Sequence, residues 1–435
     1  MLVLLAACST PTVMTGVSQE SQTLWLRPTP RPPVDTATAL VNLSNLPGAD
    51  VAPSVAVHPE EGWAAVIWAN VPPERADTAS VFVKVQDPVS GAWQPGISVN
   101  TTSAYSFASH PDVAIDHAGR VHAVFGQDHL AAHYSRSDDH GRSWTTPERL
   151  LAPADSTIRL RVAVDNAGDV HLLLNANFHT FHLQRPAGAA PGTPWESTRV
   201  PTLTDQDGRG ALAFLGGRTL VAVASGANAA VATRDNDGDW TLHPIAGAVG
   251  RPGWSAEWTS LVTIDATTVC VAFGYWGTSG NYSSCSFDRG DSWEAWKPII
   301  ETLDVLEPGA GDIGHTPSLI FEPLSRTLLA VQLYRQSGAG APVTVPVFSL
   351  RRLAEDHWIP DVAGPFAHHT PPFRLFVATT PHNSAAAPHG IRVAYAGPHV
   401  RRPLALAVWV ETDPRENVDV YAGWFNPAAL VTEVR

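Results

Sequence analysis

A unit of about 50 residues recurs along this chain, and it predicts an all-β fold, a β-propeller of about seven four-stranded blades. Each unit has two short apolar strands, a more polar third strand, and a Gly/Asp turn that leads to Trp. Apolar runs are expected where strands pack on both faces between neighbouring blades. The first strands begin near residues 53, 111, 160, 210, 260, 317 and 391. Six blades are the alternative, if the last two units divide differently around residues 365–390.

The composition is that of a large globular domain. Of 435 residues, 44% are hydrophobic and only 16% are charged, so the chain can bury a substantial core. Its 37 Pro and 33 Gly suit many short strands joined by turns better than long helices. The net charge of −13 argues against binding to nucleic acid and against docking on an anionic membrane through protein charge.

The N-terminal segment resembles a targeting signal. Leu5-Ala6-Ala7-Cys8, at the end of an apolar run, is similar to a bacterial lipobox, where a lipoprotein signal peptide is cut and the Cys is lipidated. The resemblance implies a signal-like segment at 1–8, lipidation of Cys8, export, and a membrane anchor at the cell envelope. No Lys or Arg precedes Cys8, so we expect a basic leader region upstream of Met1. The alternative is an apolar tail without a targeting role.

The rest of the chain divides into a tether and one domain. Residues 9–35 are rich in Ser, Thr and Pro, which is typical of an extended tether. Residues 36–435 are expected to form a single propeller. Segment 40–44 resembles the fourth strands but precedes the first blade, so we expect it to close the ring by pairing with strand 418–424 of the last blade. The competing closing strand is 429–434.

Two segments predict hairpin turns between the third and fourth strands of a blade. Both match Ser-x-Asp-x-Gly-x-Ser-Trp, with Ser137, Asp139, Gly141, Ser143 and Trp144 in one copy and Ser286, Asp288, Gly290, Ser292 and Trp293 in the other. They resemble the Asp boxes of sialidases and other BNR-repeat propellers, and that resemblance implies a structural role. Asp and Ser oxygens can satisfy turn amides, Gly permits positive φ, and Trp packs beneath the turn.

Cysteine placement predicts a disulfide between Cys270 and Cys285. The two residues lie on the second and third strands of the fifth unit, and the midpoint between them falls in the turn-like 276–279 segment. Because the two residues are equally far from the turn, they are expected to lie directly opposite each other across the hairpin, at a distance close to that of a disulfide. Export favours the bridge, and two buried free thiols are the alternative.

The topology of a propeller selects a candidate ligand surface. The fourth-to-first and second-to-third connections share one face, over the central channel, and ligands usually bind there. The residues at those strand ends that we single out for ligand binding are Arg159, Arg161, Arg209, Trp258, His315, Arg335, Arg392, Trp68 and Trp276. Arg side chains clamp carboxylates and aromatic rings carry sugar rings, so the set suits an acidic sugar.

Sialidases use a Tyr nucleophile assisted by Glu, an Asp acid/base and three Arg on the substrate carboxylate. The resemblance implies Tyr334 or Tyr275, Glu257, and Asp112 or Asp128 as catalytic candidates. The Phe/Tyr-Arg-Ile-Pro motif that supplies the first Arg is missing, so the leading hypothesis is a binding propeller for a glycan or protein. A sialidase-like hydrolase and a protein-interaction scaffold are the alternatives. We expect a monomer without cofactor or metal, because no metal or nucleotide motif occurs.

Overall fold

A computed structural model describes residues 41–432 of the chain, apart from gaps at 74–78, 101–110, 128–130, 151–156, 177–178, 187, 191, 204–209, 226–227, 236–237, 247–254, 277–280, 301–316, 337–342, 356, 363–372, 375–390, 398–399, 401–403 and 413–417. The chain divides into two units, Met1–Pro33 and Val34–Arg435, and every described residue belongs to the second. The predicted signal-like segment, with Cys8, and the predicted tether lie outside the described residues.

The described part is nearly all β, and its strands are numbered in chain order from β1, Val41–Asn42. The next three groups are β2 Ala49–Val57, β3 Ala64–Val71, β4 Ser80–Val85 and β5 Ile97–Ser98; β6 Asp112–Ile115, β7 Val121–Gln127, β8 Ala131–Ser137 and β9 Glu148–Arg149; and β10 Thr157–Val164, β11 Val170–Ala176, β12 His179–Arg185 and β13 Glu196–Arg199. Each group is an antiparallel four-stranded blade.

The second half repeats this pattern. Its strands are β14 Ala211–Leu215, β15 Arg218–Ser225, β16 Asn228–Asp235 and β17 Thr241–Pro244; β18 Ser255–Thr263, β19 Val269–Trp276, β20 Asn281–Ser286 and β21 Lys297–Ile300; β22 Ser318–Glu322, β23 Thr327–Gln336, β24 Val343–Arg352 and β25 Ile359–Val362, with β26 Phe373–Arg374 beside β24; and β27 Arg392–Ala394, β28 Ala405–Thr412 and β29 Val418–Phe425. With β1 as the fourth strand of the last group, this makes seven blades.

The seven blades form a closed ring. The first strands β2, β6, β10, β14, β18, β22 and β27 each contact the first strand of the next blade, and β27 contacts β2. The predicted seven-bladed propeller is therefore confirmed, and the six-bladed alternative is wrong. Because first strands surround the axis, their free edges face the central channel. We call the end of the channel where the first strands begin the channel mouth.

The two ends of the propeller sequence complete the same blade. β1 pairs antiparallel with β29, with Val41 opposite Ala422 and Asn42 opposite Tyr421, so the predicted closing segment is confirmed. β2 also meets β29, which joins blades 1 and 7 into one sheet. The competing closing strand is wrong, because Pro427–Thr432 forms helix α1. Within the described part of the chain, no helix has the length and apolarity needed to span a membrane.

The hydrophobic core lies in the seams between blades. Among the described residues, seven large apolar clusters occur, and each combines side chains from two adjacent blades. In the seam between blades 1 and 2, for example, Trp63 and Ile67 of one blade pack with Phe125 of the next. Burial on both faces explains why the second strands are nearly continuous apolar runs.

Both Ser-x-Asp-x-Gly-x-Ser-Trp segments form turns between third and fourth strands, in blades 2 and 5. In the first turn, Ser137 Oγ accepts from the Gly141 amide at 2.8 Å and donates to Asp139 Oδ1 at 2.8 Å. The same carboxylate accepts from the Ser143 amide and hydroxyl. Gly141 has φ of 85°, which favours Gly. The second copy has the same bonds, so these oxygens serve the turn itself.

The predicted disulfide joins β19 to β20. Cys270 and Cys285 are directly opposite in the antiparallel register, with Cα atoms 4.1 Å apart, and both are fully buried. Arg351 of blade 6 donates to Cys285 Sγ at 3.5 Å and pairs with Glu294 at 3.0 Å. The bridge therefore stabilises blade 5 close to its seam with blade 6.

Replacing both Cys270 and Cys285 with Ala is expected to lower the free energy of unfolding by about 3 kcal/mol, since the bridge closes a loop of 15 residues. Calorimetry under non-reducing conditions measures the change. Intact-mass spectrometry of the unmodified protein should show a mass lower by two hydrogens than the reduced protein. Free thiols on both residues in the native protein would contradict the assignment.

Asp139→Ala is expected to cost about 1–2 kcal/mol of folding free energy, because it leaves the Ser143 amide and both turn hydroxyls without their acceptor. Asp138→Ala is the matched control in the same turn. Its side chain is 54% exposed and forms one ion pair with Arg136, so we expect a change within about 0.5 kcal/mol. Urea unfolding midpoints measure both. Equal losses would refute the structural role assigned to Asp139.

Candidate functional site

Seven residues occupy equivalent positions on the first strands, and we call them the inner ring. Each lies opposite the same position of its second strand; Asp112 faces Val124, Arg161 faces Leu173 and Arg392 faces Val408. The inner ring consists of Ser54, Asp112, Arg161, Ala211, Ser260, Ser318 and Arg392. Four of these residues begin their first strands, whereas Ser54, Arg161 and Ser260 lie past the middle of β2, β10 and β18, so the inner ring lies inside the channel, beyond the channel mouth.

Several members of the inner ring bond to the next first strand. Asp112 Oδ2 accepts from the Val162 amide at 3.0 Å. Ser260 Oγ accepts from the Leu319 amide at 3.1 Å, and Ser318 Oγ accepts from the Val393 amide at 3.0 Å. A first strand has no neighbour on its channel side, so its buried amides need another acceptor. Asp112, Ser260 and Ser318 therefore stabilise the propeller by accepting backbone amides of the next first strand.

Arg161 and Arg392 do not perform this linking role. Arg161 Nη1 donates to its neighbouring carbonyl, Leu160 O, at 3.0 Å. Arg392 is half-buried, and within the described residues it has neither a hydrogen bond nor an ion pair from its side chain. Among the described residues, neither of these two positive charges of the inner ring has an ion pair with a carboxylate.

The electrostatics show that the two arginines share one space. The pKa of Arg392 is lowered to about 9, mainly by burial and also by the nearby charge of Arg161, while Asp112 opposes the change. These residues belong to blades 7, 3 and 2, and blade 7 is adjacent to neither of the other two, so the charges act on Arg392 from the far side of the ring of first strands. Asp112 is already engaged, because Ser54 Oγ donates to Oδ1 and the Val162 amide to Oδ2. The arrangement is a confined, positively charged site suited to an anion.

Of the residues predicted to bind ligand, Trp68 is placed elsewhere. Its side chain is 1% exposed and belongs to the seam between blades 1 and 7, where it stacks on Phe82 with ring centroids 5.9 Å apart. Trp68 lies within β3, and side chains of second strands point into the seams rather than toward solvent. It cannot carry a sugar ring.

The remaining predicted residues stand at strand ends or beyond them. Arg159, Glu257, Trp258, Trp276, Tyr275, Tyr334 and Arg335 lie in β10, β18, β19 and β23, and only their backbone is described. Arg209, His315 and Asp128 lie outside the described residues. The catalytic candidates Glu257 and Tyr334 therefore stay predictions.

Two groups of buried, hydrogen-bonded His side chains are not predicted from the sequence, although the two matching turns that precede them are visible there. His122 lies 2.8 Å from the Tyr134 hydroxyl and 3.4 Å from Asp116 Oδ2. The equivalent His171 lies 2.9 Å from His182. His122 is 1% exposed, and burial lowers its pKa. Each group joins the second and third strands of one blade, and its burial keeps it out of reach of a substrate.

A second unforeseen group lies where the ring closes. Asp50 on β2 is fully buried, Asn70 donates to it at 2.9 Å, and Asp419 on β29 is nearby. Burial raises the pKa of Asp50 to about 7. An Asp inside the apolar segment Ala49–Val51 is the sequence signal that points to it. We call Asp50, Asn70, Ser44, Asn42 and Asp419 the closure cluster.

No protein-family model matches the sequence, and no curated protein matches it. Among solved structures, an ulvan lyase of polysaccharide lyase family PL25, bound to -[GlcA(1-4)Rha3S]-, has a TM-score of 0.54 at 10% identity, covering 90% of this chain and 99% of that chain. A fungal alcohol oxidase of the AA5 family, in complex with copper, has a TM-score of 0.54 at 15% identity, covering 90% and 76%. At these identities the similarity shows the fold alone.

Arg392→Met is expected to raise Tm at pH 7 by a few degrees. The pKa of Arg392 is lower in the folded protein than in the unfolded chain, so its charge disfavours folding at pH values below about 9. Calorimetry measures the shift. Arg142→Met is the control, because Arg142 forms an exposed ion pair with Asp87 and should contribute little. A larger loss of stability in Arg392→Met than in the control would contradict the uncompensated charge.

Proposed function

We propose that the chain is an exported propeller that binds an acidic glycan through Arg161 and Arg392 of the inner ring, with the ligand entering from the channel mouth. The observation that carries the proposal is the electrostatic proximity of two guanidinium groups that have no ion pair with a carboxylate in the part of the chain that the structure describes. The charge of Arg392 costs stability, so a binding role accounts for its presence. A carboxylate or sulfate entering the channel would offset that cost through charge-assisted hydrogen bonds.

Two further features support a glycan as the source of the anion. The ulvan lyase, which has the same fold, is bound to -[GlcA(1-4)Rha3S]-, a repeat whose formula carries acidic groups. The turns at 137–144 and 286–293 also match the Asp-box pattern of BNR-repeat propellers, and they stand between third and fourth strands, as in sialidases. Both turns lie at the end of the ring opposite the channel mouth, so they leave the arginine site free.

The proposal extends to the location of the protein. The lipobox-like Leu5-Ala6-Ala7-Cys8 and the Pro-rich segment after it support lipidation at Cys8 and a tether at the cell envelope. The Cys270–Cys285 disulfide supports an oxidising compartment outside the cytoplasm. In this arrangement the membrane holds the protein, and the propeller binds a ligand from its surroundings.

Binding is preferred over hydrolysis because of the state of Asp112. Both of its carboxylate oxygens accept hydrogen bonds from the protein, and the residue is 7% exposed. A general acid must reach the leaving-group oxygen, and Asp112 is held against the neighbouring strands instead. Asp112 is therefore better suited to positioning the inner ring than to transferring a proton.

The test is binding to a glycan array that contains uronate-, sialate- and sulfate-bearing glycans beside neutral ones. Arg161→Ala and Arg392→Ala should each weaken binding of acidic glycans at least about tenfold, since a hydrogen bond to a charged group contributes about 1.5–3 kcal/mol. Added salt should weaken binding further. Arg142→Ala, distant from the channel mouth, is the control and should bind normally.

Equal binding of neutral and acidic glycans, or unchanged binding in both arginine variants, would refute the proposal. A fluorogenic sialoside is assayed in parallel. Turnover that disappears on substitution of Arg159 or Arg209 would replace the binding function with sialidase-like hydrolysis.

A further inference from the structure

The closing strand is held by few contacts. β1 has two residues, and beyond it the Leu43 amide donates to Val420 O at 2.8 Å. Side chains supply the other bonds. Asn42 Nδ2 donates to Asp419 Oδ2 at 2.8 Å, and the Val420 amide donates to Ser44 Oγ at 2.9 Å. The last fourth strand of the propeller therefore depends on polar groups around Asp419.

Asp50 stands behind these contacts with its hydrogen bonding incomplete. Asn70 donates to Oδ1, whereas Oδ2 is buried and has no hydrogen-bond partner among the described residues. Nε1 of Trp68 is likewise buried without a partner there. The charged group facing Asp50 is Asp419 on β29; β3 presents the neutral Asn70 and Trp68, and the segment before β2 presents Ser44. A carboxylate at this position would be buried and opposed by a second carboxylate, although the Ser44 hydroxyl, the Asn70 amide and the Trp68 indole would partly stabilise it.

The protonation state of Asp50 consequently matters near neutral pH. Burial is the main cause that raises its pKa to about 7, with a smaller contribution from the charge of Asp419, and the hydrogen-bond donors of Ser44, Asn70 and Trp68 act in the opposite direction. Since the pKa is higher in the folded protein than the ordinary 3.8, stability is fully present below about pH 4 and is lost as pH rises through about 7. The lost stability falls on the joint between blades 1 and 7, because Asp50 and Asp419 stand on its two sides.

We propose that this joint is a proton-controlled latch, closed while Asp50 is protonated and released from β29 when Asp50 and Asp419 are both ionised. The released segment is β1 with Leu43 and Ser44, which leaves the core of blade 7 without its fourth strand. Opening of the latch also affects the candidate site. Arg392 stands on blade 7 and Ser54, which holds Asp112, stands on blade 1, so the joint that loosens lies inside the inner ring.

Hydrogen exchange of the intact chain tests the latch between about pH 4 and about pH 9. We use protection factors, the exchange rates corrected for the unstructured chain at each pH. Between about pH 4 and about pH 7, protection of the Leu43 and Val420 amides should fall by up to about tenfold per pH unit, because opening releases the proton that Asp50 holds in the closed state, and protection should level off above about pH 7. The Val99 amide, which donates to Val81 O at 2.8 Å next to the fourth strand of blade 1, is the internal control and should keep its protection.

Asp50→Asn is the matched variant, because Asn keeps the acceptor for Asn70 and mimics the protonated carboxyl. Its Leu43 and Val420 amides should show no such pH dependence. Parallel behaviour of Leu43 and Val99 in the unmodified protein overturns the proposal, and this comparison holds even if the variant fails to fold. Persistence of the pH dependence in Asp50→Asn also overturns it. Exchange is preferred to ligand binding as the measurement, because Arg392 itself titrates near pH 9.

Discussion

The antiparallel pairing of β1 with β29 is the constraint on which the rest of the structure depends. Each blade has one neighbour on either side, and the apolar seams between blades are complete only when blade 7 meets blade 1. Pairing the first strand of the domain with its last also hides sheet edges that would otherwise bind other chains. The contact is small and polar, centred on Asp419, whereas the seams on both sides are large and apolar.

Closure creates the central channel and, with it, a need for acceptors. First strands have no sheet partner on the channel side, and Asp112, Ser260 and Ser318 accept hydrogen bonds from the next first strand. Arg161 and Arg392 occupy equivalent positions but make none of these bonds between neighbouring first strands among the described residues. The same ring of positions thus serves stability at some blades and, by our proposal, ligand binding at others.

Much of the fold could be predicted because short stretches of sequence specify it. The 50-residue repeat, the equal arms around the turn between Cys270 and Cys285, and the extra strand before the first blade each depend on short stretches of sequence. The alternative closing strand at 429–434 is wrong because apolar content alone does not separate a strand from a short helix. Trp68 was misplaced for a related reason. Being near the end of an apolar strand does not reveal whether a side chain points into a seam or out to solvent.

The sequence by itself determined the number of blades, the turns, the disulfide and the closing strand, since spacing and periodicity specify contacts within a hairpin or between consecutive strands. Only the tertiary structure decided which charged residues meet. Asp112, Arg161 and Arg392 come from three blades, and closure of the ring brings them to one space. Likewise, Asp50 and Asp419 stand at opposite ends of the domain sequence. Their burial side by side, and hence the titration of Asp50 near neutral pH, follows from the folded ring, because desolvation and charge proximity are properties of position in space.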